Sequence, residues 1–171
     1  MNTLYILRHA DAERRAQHDD DHDRPLTAEG ETAARRLGQF LAATEQRPEQ
    51  CITSTAVRAR RTAELVADGA EWELPLRPVN ALYKAQPADV LEEMHAVDDN
   101  VQSILLVGHE PAWSATVSSL LGSANVSLTP GTCVRVDTEK AWGNIRFGSG
   151  VLRWMVPPAI LQKGVSPAPR P

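Results

Sequence analysis

The chain has 171 residues and a formal net charge of −4. A chain of this length buries a core large enough to do without disulfide staples, and it fits one ordinary domain. The negative balance argues against a general nucleic-acid binder, which needs a basic footprint, and no apolar run reaches the roughly 18 residues that span a bilayer.

The N-terminal segment MNTLYILRHAD lacks the basic-then-apolar pattern of a secretion signal, so a cytoplasmic location is expected. Cys51 and Cys133 form no C-x-x-C spacing and read as small buried apolar residues.

Apolar β-favouring runs alternate with helical patterns. This predicts an α/β fold: a three-layer sandwich with a mostly parallel central sheet flanked by helices. Residues 4–7 read as the first strand, and residues 11–25 are too charged to pack as core. Thr27 offers a hydroxyl N-cap to a helix on which Ala33, Leu37, Phe40, Leu41 and Thr44 recur at helical spacing. Residues 51–53 form a short second strand, and a helix over 57–68 turns Ala59, Ala63, Val66 and Ala67 inward. Residues 74–79 suit an edge strand, because Pro75 and Pro78 cannot donate to a ladder. A short helix is expected over 88–97, and the apolar run 103–107 suits a central strand buried on both faces. Pro111 fits the first turn of a helix reaching about Leu121. Three short runs, 132–137, 144–147 and 151–156, are expected as antiparallel additions. Residues 1–160 are expected to form one domain, followed by a loose Pro-rich tail over 161–171.

Chemistry-bearing residues cluster just after predicted strands: Arg8-His9 after the first, Arg58 after the second, and Gly108-His109 after the central one. Ligands of open α/β sheets bind at the carboxyl ends of the strands, so these loops should converge. Two arginines and two histidines in one pocket suit a phosphoryl group. Guanidinium groups bind phosphate oxygens bidentately and stay charged, while a neutral imidazole is a nucleophile near neutral pH. Arg58 also falls in the first turn of its helix, where the dipole favours an anion. No metal or other cofactor is required. The run 18–23, rich in Asp and His, reads as a hydrated loop rather than a metal site. Arg60, Arg61 and His95 read as surface residues, and Trp72, Trp113, Trp142 and Trp154 as packing residues.

These segments resemble the histidine phosphatase (phosphoglycerate mutase-like) superfamily. The motif L-R-H-A at 7–10 is similar to that family's R-H-G signature, with Ala10 in place of the usual glycine. R-P-L-T-A-E-G at 24–30 resembles its P-L-T-x-x-G element, S-T-A-V-R-A-R-R-T-A at 54–63 its S-x-x-x-R-A-x-x-T-A element, and V-G-H-E-P at 107–111 its G-H-x-P element. The short length and the Arg24-Pro25 variant are most similar to the SixA-type phosphohistidine phosphatases. The resemblance implies His9 as the nucleophile, with Arg8, Arg58 and His109 around the phosphoryl group. It also nominates Arg24 for substrate binding.

Many superfamily members carry a glutamate acid after the third strand, where this chain reads V-N-A-L-Y at 79–83, with no carboxylate. Such an acid contributes about 10²–10⁴-fold when an alkoxide must leave, whereas imidazole leaves readily. Its absence favours protein-borne phosphohistidine as the substrate. A small phosphorylated metabolite, or a phosphate-binding regulatory module without turnover, are the alternatives. Asp11 and Glu110 are the candidates for any substitute acid.

Overall fold

The computed structural model describes residues 1–162. In chain order these form β1 (Asn2–Arg8), α1 (Ala28–Ala43), β2 (Gln50–Ser54), α2 (Val57–Ala70), β3 (Leu76–Val79), α3 (Pro87–His95), β4 (Ser103–Gly108), α4 (Ala112–Leu120), β5 (Cys133–Thr138), β6 (Val151–Val156) and α5 (Pro158–Leu161). The strands make one six-stranded sheet in the order β3-β2-β4-β1-β5-β6. β1, β2, β3 and β4 run parallel, and β5 and β6 are added antiparallel beyond β1. A parallel step needs a crossover, and α1, α2 and α3 supply it.

Alternate residues of the central strands serve opposite faces. Leu4, Ile6, Ile104 and Leu106 pack with Val90 and Met94 of α3 and Trp113 and Val117 of α4. Tyr5, Leu7, Leu105 and Val107 pack with Leu37 and Leu41 of α1 and Ala59 and Ala63 of α2. This two-sided burial explains why β1 and β4 read as continuous apolar runs rather than alternating ones.

Thr27 caps α1 as expected, its hydroxyl accepting from Gly30 N–H at 3.0 Å. The buried face of α1 is rotated from the expected one. Ala34, Leu37, Gly38 and Leu41 are buried, while Ala33 is half-buried and Thr44 is exposed. Backbone proximity causes the rotation. A Cβ on Gly38 would lie 2.1 Å from the Val66 carbonyl oxygen, and one on Gly69 would lie 2.2 Å from that of Arg35. The helices cross where neither has a side chain, a contact that hydrophobic periodicity does not register.

The run 144–147 is not a strand. Residues 142–144 form a 3₁₀ turn in which buried Trp142 donates its indole N–H to the Val101 carbonyl at 2.6 Å, and His95 Nε2 donates to the Ile145 carbonyl at 2.8 Å. These bonds hold the segment against α3 instead of the sheet. Of the expected tail, Leu161 ends α5 and Gln162 follows it, and the remainder lies outside the described residues.

Candidate active site

The four parallel strands lie side by side, so their carboxyl ends form one continuous edge, and each delivers part of the site. Arg8 ends β1 and His9 follows it; Arg58 sits in the first turn of α2, after β2; Tyr83 follows a 3₁₀ turn after β3; His109 follows β4. The imidazoles of His9 and His109 are 5.1 Å apart between ring centres. His9 N–H donates to the Gly108 carbonyl at 2.9 Å, which fixes the β1 loop to the β4 loop. Thr62 fixes it to α2: its hydroxyl accepts from Ala10 N–H at 3.0 Å and donates to the Arg58 carbonyl at 2.7 Å. The residue types of the S-x-x-x-R-A-x-x-T-A segment thus have separate jobs along one helix turn.

The hydrogen bonds also set the proton positions. His9 Nδ1 is 2.7 Å from the Ala10 carbonyl, which can only accept, so Nδ1 carries the proton and Nε2 keeps its lone pair. Burial is the largest influence on His9; opposed by the Ala10 hydrogen bond and reinforced by Arg58, Arg8 and Arg24, it lowers the pKa to about 4. Burial, together with His9, Arg58 and Arg24 and against Asp21, lowers that of His109 to about 3. Both rings are therefore neutral at pH 7. His109 Nε2 lies 2.8 Å from Ser54 Oγ, which itself accepts from Ala56 N–H at 3.3 Å. A hydroxyl both donates and accepts, so the Ser54 contact holds the His109 ring in place in either neutral tautomer.

Several buried nitrogens in this pocket have no hydrogen-bond partner: the donor Nε of Arg8, the donor Nε of Arg58 and Nδ1 of His109. Arg8 spends Nη1 on the Leu128 carbonyl at 2.7 Å. Arg58 is 4% exposed yet remains cationic. Buried polar groups are otherwise satisfied as a rule, so a cluster of orphaned donors beside a free imidazole lone pair marks a place for an anion.

Arg24 joins the same group through Asp21. Its Nε lies 3.0 Å from Asp21 Oδ1, and its Nη1 donates to the Glu13 carbonyl at 2.8 Å. Asp21 in turn receives Arg58 twice, Nη2 on Oδ2 at 3.1 Å and Nη1 on its main-chain oxygen, and Tyr83 O–H on Oδ2 at 3.1 Å. Here the hydrated-loop reading of 18–23 needs correction, because Asp21 turns inward. Burial would raise its pKa, but Arg58, Tyr83 and Arg24 outweigh that and hold the carboxyl below its ordinary value. His22 is placed by Thr55 at 3.0 Å and meets the Tyr83 ring edge-on at 5.0 Å. No group of His, Cys, Asp or Glu among the described residues is arranged to hold a metal ion.

Asp21, Tyr83 and Ser54 are functional-site neighbours that sequence reasoning missed. Four aspartates lie within 18–23, and only the fold decides which one points inward. The spacing of Asp21 three residues before Arg24 was the one available signal. Asp11 and Glu110 are occupied elsewhere: Asp11 Oδ2 accepts from Thr27 Oγ1 at 2.9 Å and Glu110 Oε1 from Ser114 Oγ at 2.8 Å. Gly30 is where α1 meets the site loop, since a Cβ there would lie 2.1 Å from the Asp11 carbonyl oxygen.

The sequence profile of the histidine phosphatase superfamily (branch 1) matches residues 4–84. An uncharacterized protein of Mycobacterium tuberculosis, Rv1276c, is 39% identical over 120 residues, covering 70% of this chain and 72% of the relative. The phosphohistidine phosphatase SixA of Escherichia coli is 26% identical over 93% of this chain and 96% of its own length. The solved structure of the protein histidine phosphatase SixA complexed with tungstate superposes with a TM-score of 0.81 at 24% identity, covering 93% of this chain and 99% of that one.

Proposed function

This chain belongs to the histidine phosphatase superfamily, and from that premise we propose that it is a metal-independent phosphohistidine phosphatase working through a covalent intermediate on His9. The observation that carries the reading is the pairing of a neutral imidazole, its Nε2 lone pair free, with the unpartnered guanidinium donors of Arg8 and Arg58. In the first step Nε2 attacks phosphorus and the bond from phosphorus to the leaving nitrogen breaks. The substrate ring leaves as neutral imidazole once its second nitrogen has taken a proton from water, which an imidazole nitrogen does near neutral pH, so no protein acid need reach the bridging atom. In the second step water attacks phospho-His9, the P–Nε2 bond breaks, inorganic phosphate leaves and the neutral ring returns. Arg8, Arg58 and Arg24 hold the phosphoryl oxygens as charge builds up on them, and His109 stands beside them as a neutral ring.

The preference for phosphohistidine rests on the β3 end of the site. Val79, Asn80, Ala81 and Leu82 lead to Tyr83, and no carboxylate of that segment serves a poor leaving group. The cytoplasm is the proposed compartment, a reading supported by two buried cysteines that remain unpaired; no helix among the described residues is long and apolar enough to cross a membrane.

Single-turnover assays test the proposal. Acid-labile phosphate should be trapped on His9, and His9→Ala should lower turnover by roughly 10³-fold or more. A phosphohistidine protein should react faster than phosphoserine, and chelator should change nothing. A fully active His9→Ala variant would refute the mechanism; faster turnover of phosphoserine or a sugar phosphate would shift the substrate to a small metabolite; phosphate binding without turnover would make the chain a regulatory binder.

A further inference from the structure

We infer that Asp21 is the resting counter-anion of the phosphate pocket, a positioning residue that acts through Arg58 and Arg24 and weakens the hold on phosphate so that product leaves. The inference rests on the phosphatase reading above. A guanidinium offers two hydrogen-bonding edges. Asp21 occupies the end-on edge of Arg58, its main-chain oxygen on Nη1 and Oδ2 on Nη2, while the remaining Nε is buried and unpartnered. The same carboxylate lies 3.0 Å from Arg24 Nε and accepts from Tyr83 O–H at 3.1 Å.

Two consequences follow from this arrangement. With the pocket empty, Asp21 offsets the mutual repulsion of Arg24 and Arg58, keeping both in reach of His9. With phosphate bound, the carboxylate and the phosphoryl oxygens share the same two cations, and two anions a few ångströms apart repel in a partly buried site. Tyr83 O–H and Arg58 Nη2 both hold Oδ2, at 3.1 Å each, so the carboxylate is tethered by a neutral group as well as by a cation. The acidic loop therefore lowers affinity for the product without supplying a proton or a nucleophile.

The experiment compares wild type with Asp21→Asn, which keeps the shape and an oxygen acceptor but removes the charge. Competitive inhibition by inorganic phosphate and by tungstate is measured alongside kcat, KM and thermal stability. The expected result is phosphate and tungstate binding about tenfold tighter in Asp21→Asn, with kcat lowered and product inhibition deepened. Tyr83→Phe, which loosens the carboxylate without discharging it, should move both inhibition constants less. Loss of packing alone would weaken inhibition, so an unchanged or weaker phosphate affinity in a folded Asp21→Asn variant overturns the assignment. If Asp21→Asn fails to fold, the Tyr83→Phe inhibition constants decide, and unchanged values there overturn it as well. A wild-type protein that turns over no phosphorylated substrate would instead remove the phosphatase reading, and this inference with it.

Discussion

At the scale of single residues, burial holds both histidines of the site in their neutral form. Both titrate at 6.5 when exposed, but in the fold His9 is lowered to about 4 and His109 to about 3. As pH falls below 6.5 the unfolded chain takes up protons that the folded chain refuses, so stability is lost progressively, down to about pH 4 for His9 and about pH 3 for His109. Thermal melts across that range should show the decline, and a His9→Ala/His109→Ala double variant should flatten it. NMR titration of the wild-type imidazoles should place both midpoints below that of an exposed histidine. A midpoint for His9 near the exposed value would contradict the tautomer and the donor pattern assigned to the pocket.

At the scale of elements, the site depends on how closely α1 and α2 approach, because α2 carries both Arg58 and the Thr62 hydroxyl that holds the loop after His9. Gly38 and Gly69 permit that approach. Gly38→Ala is expected to destabilise the protein by about 1–3 kcal/mol through overpacking against the Val66 carbonyl, although alanine favours a helix more than glycine does. Denaturant unfolding measures the loss; an increase in stability would show that the helices can separate freely. The motif strings were legible at this level because they follow strands in order. The small-residue crossing was not, since hydrophobic periodicity records side chains and this contact is made by their absence.

At the scale of the whole molecule, chemistry and support are divided between the two halves of the sheet. The parallel strands β3, β2, β4 and β1 lead into the site, whereas β5 and β6 are braced at the far end by Asp137. This carboxylate, 2% exposed, accepts from Thr3 of β1, Arg135 of β5 and Arg153 of β6. Asp137→Ala should cost about 1–3 kcal/mol, because its partners lose a buried acceptor but can regain water. The KM should stay at its wild-type value, since Thr3 marks the end of β1 remote from His9. A changed KM with unchanged stability would mean the halves are coupled.

The sequence by itself determined the alternation of parallel strands and helices and the N-cap at Thr27, because each depends on a residue type at a fixed distance from a local element, and it nominated His9, Arg8, Arg58, His109 and, through the family motif, Arg24. Tertiary structure alone decided that residues 144–147 pack on α3, that α1 turns Gly38 toward α2, and that Asp21 leaves its acidic neighbours to sit between Arg58 and Tyr83. Those outcomes turn on which atoms meet across distant stretches of chain, as Asp21 and Arg58 do at a separation of 37, and no local pattern of charge or hydrophobicity encodes such a meeting.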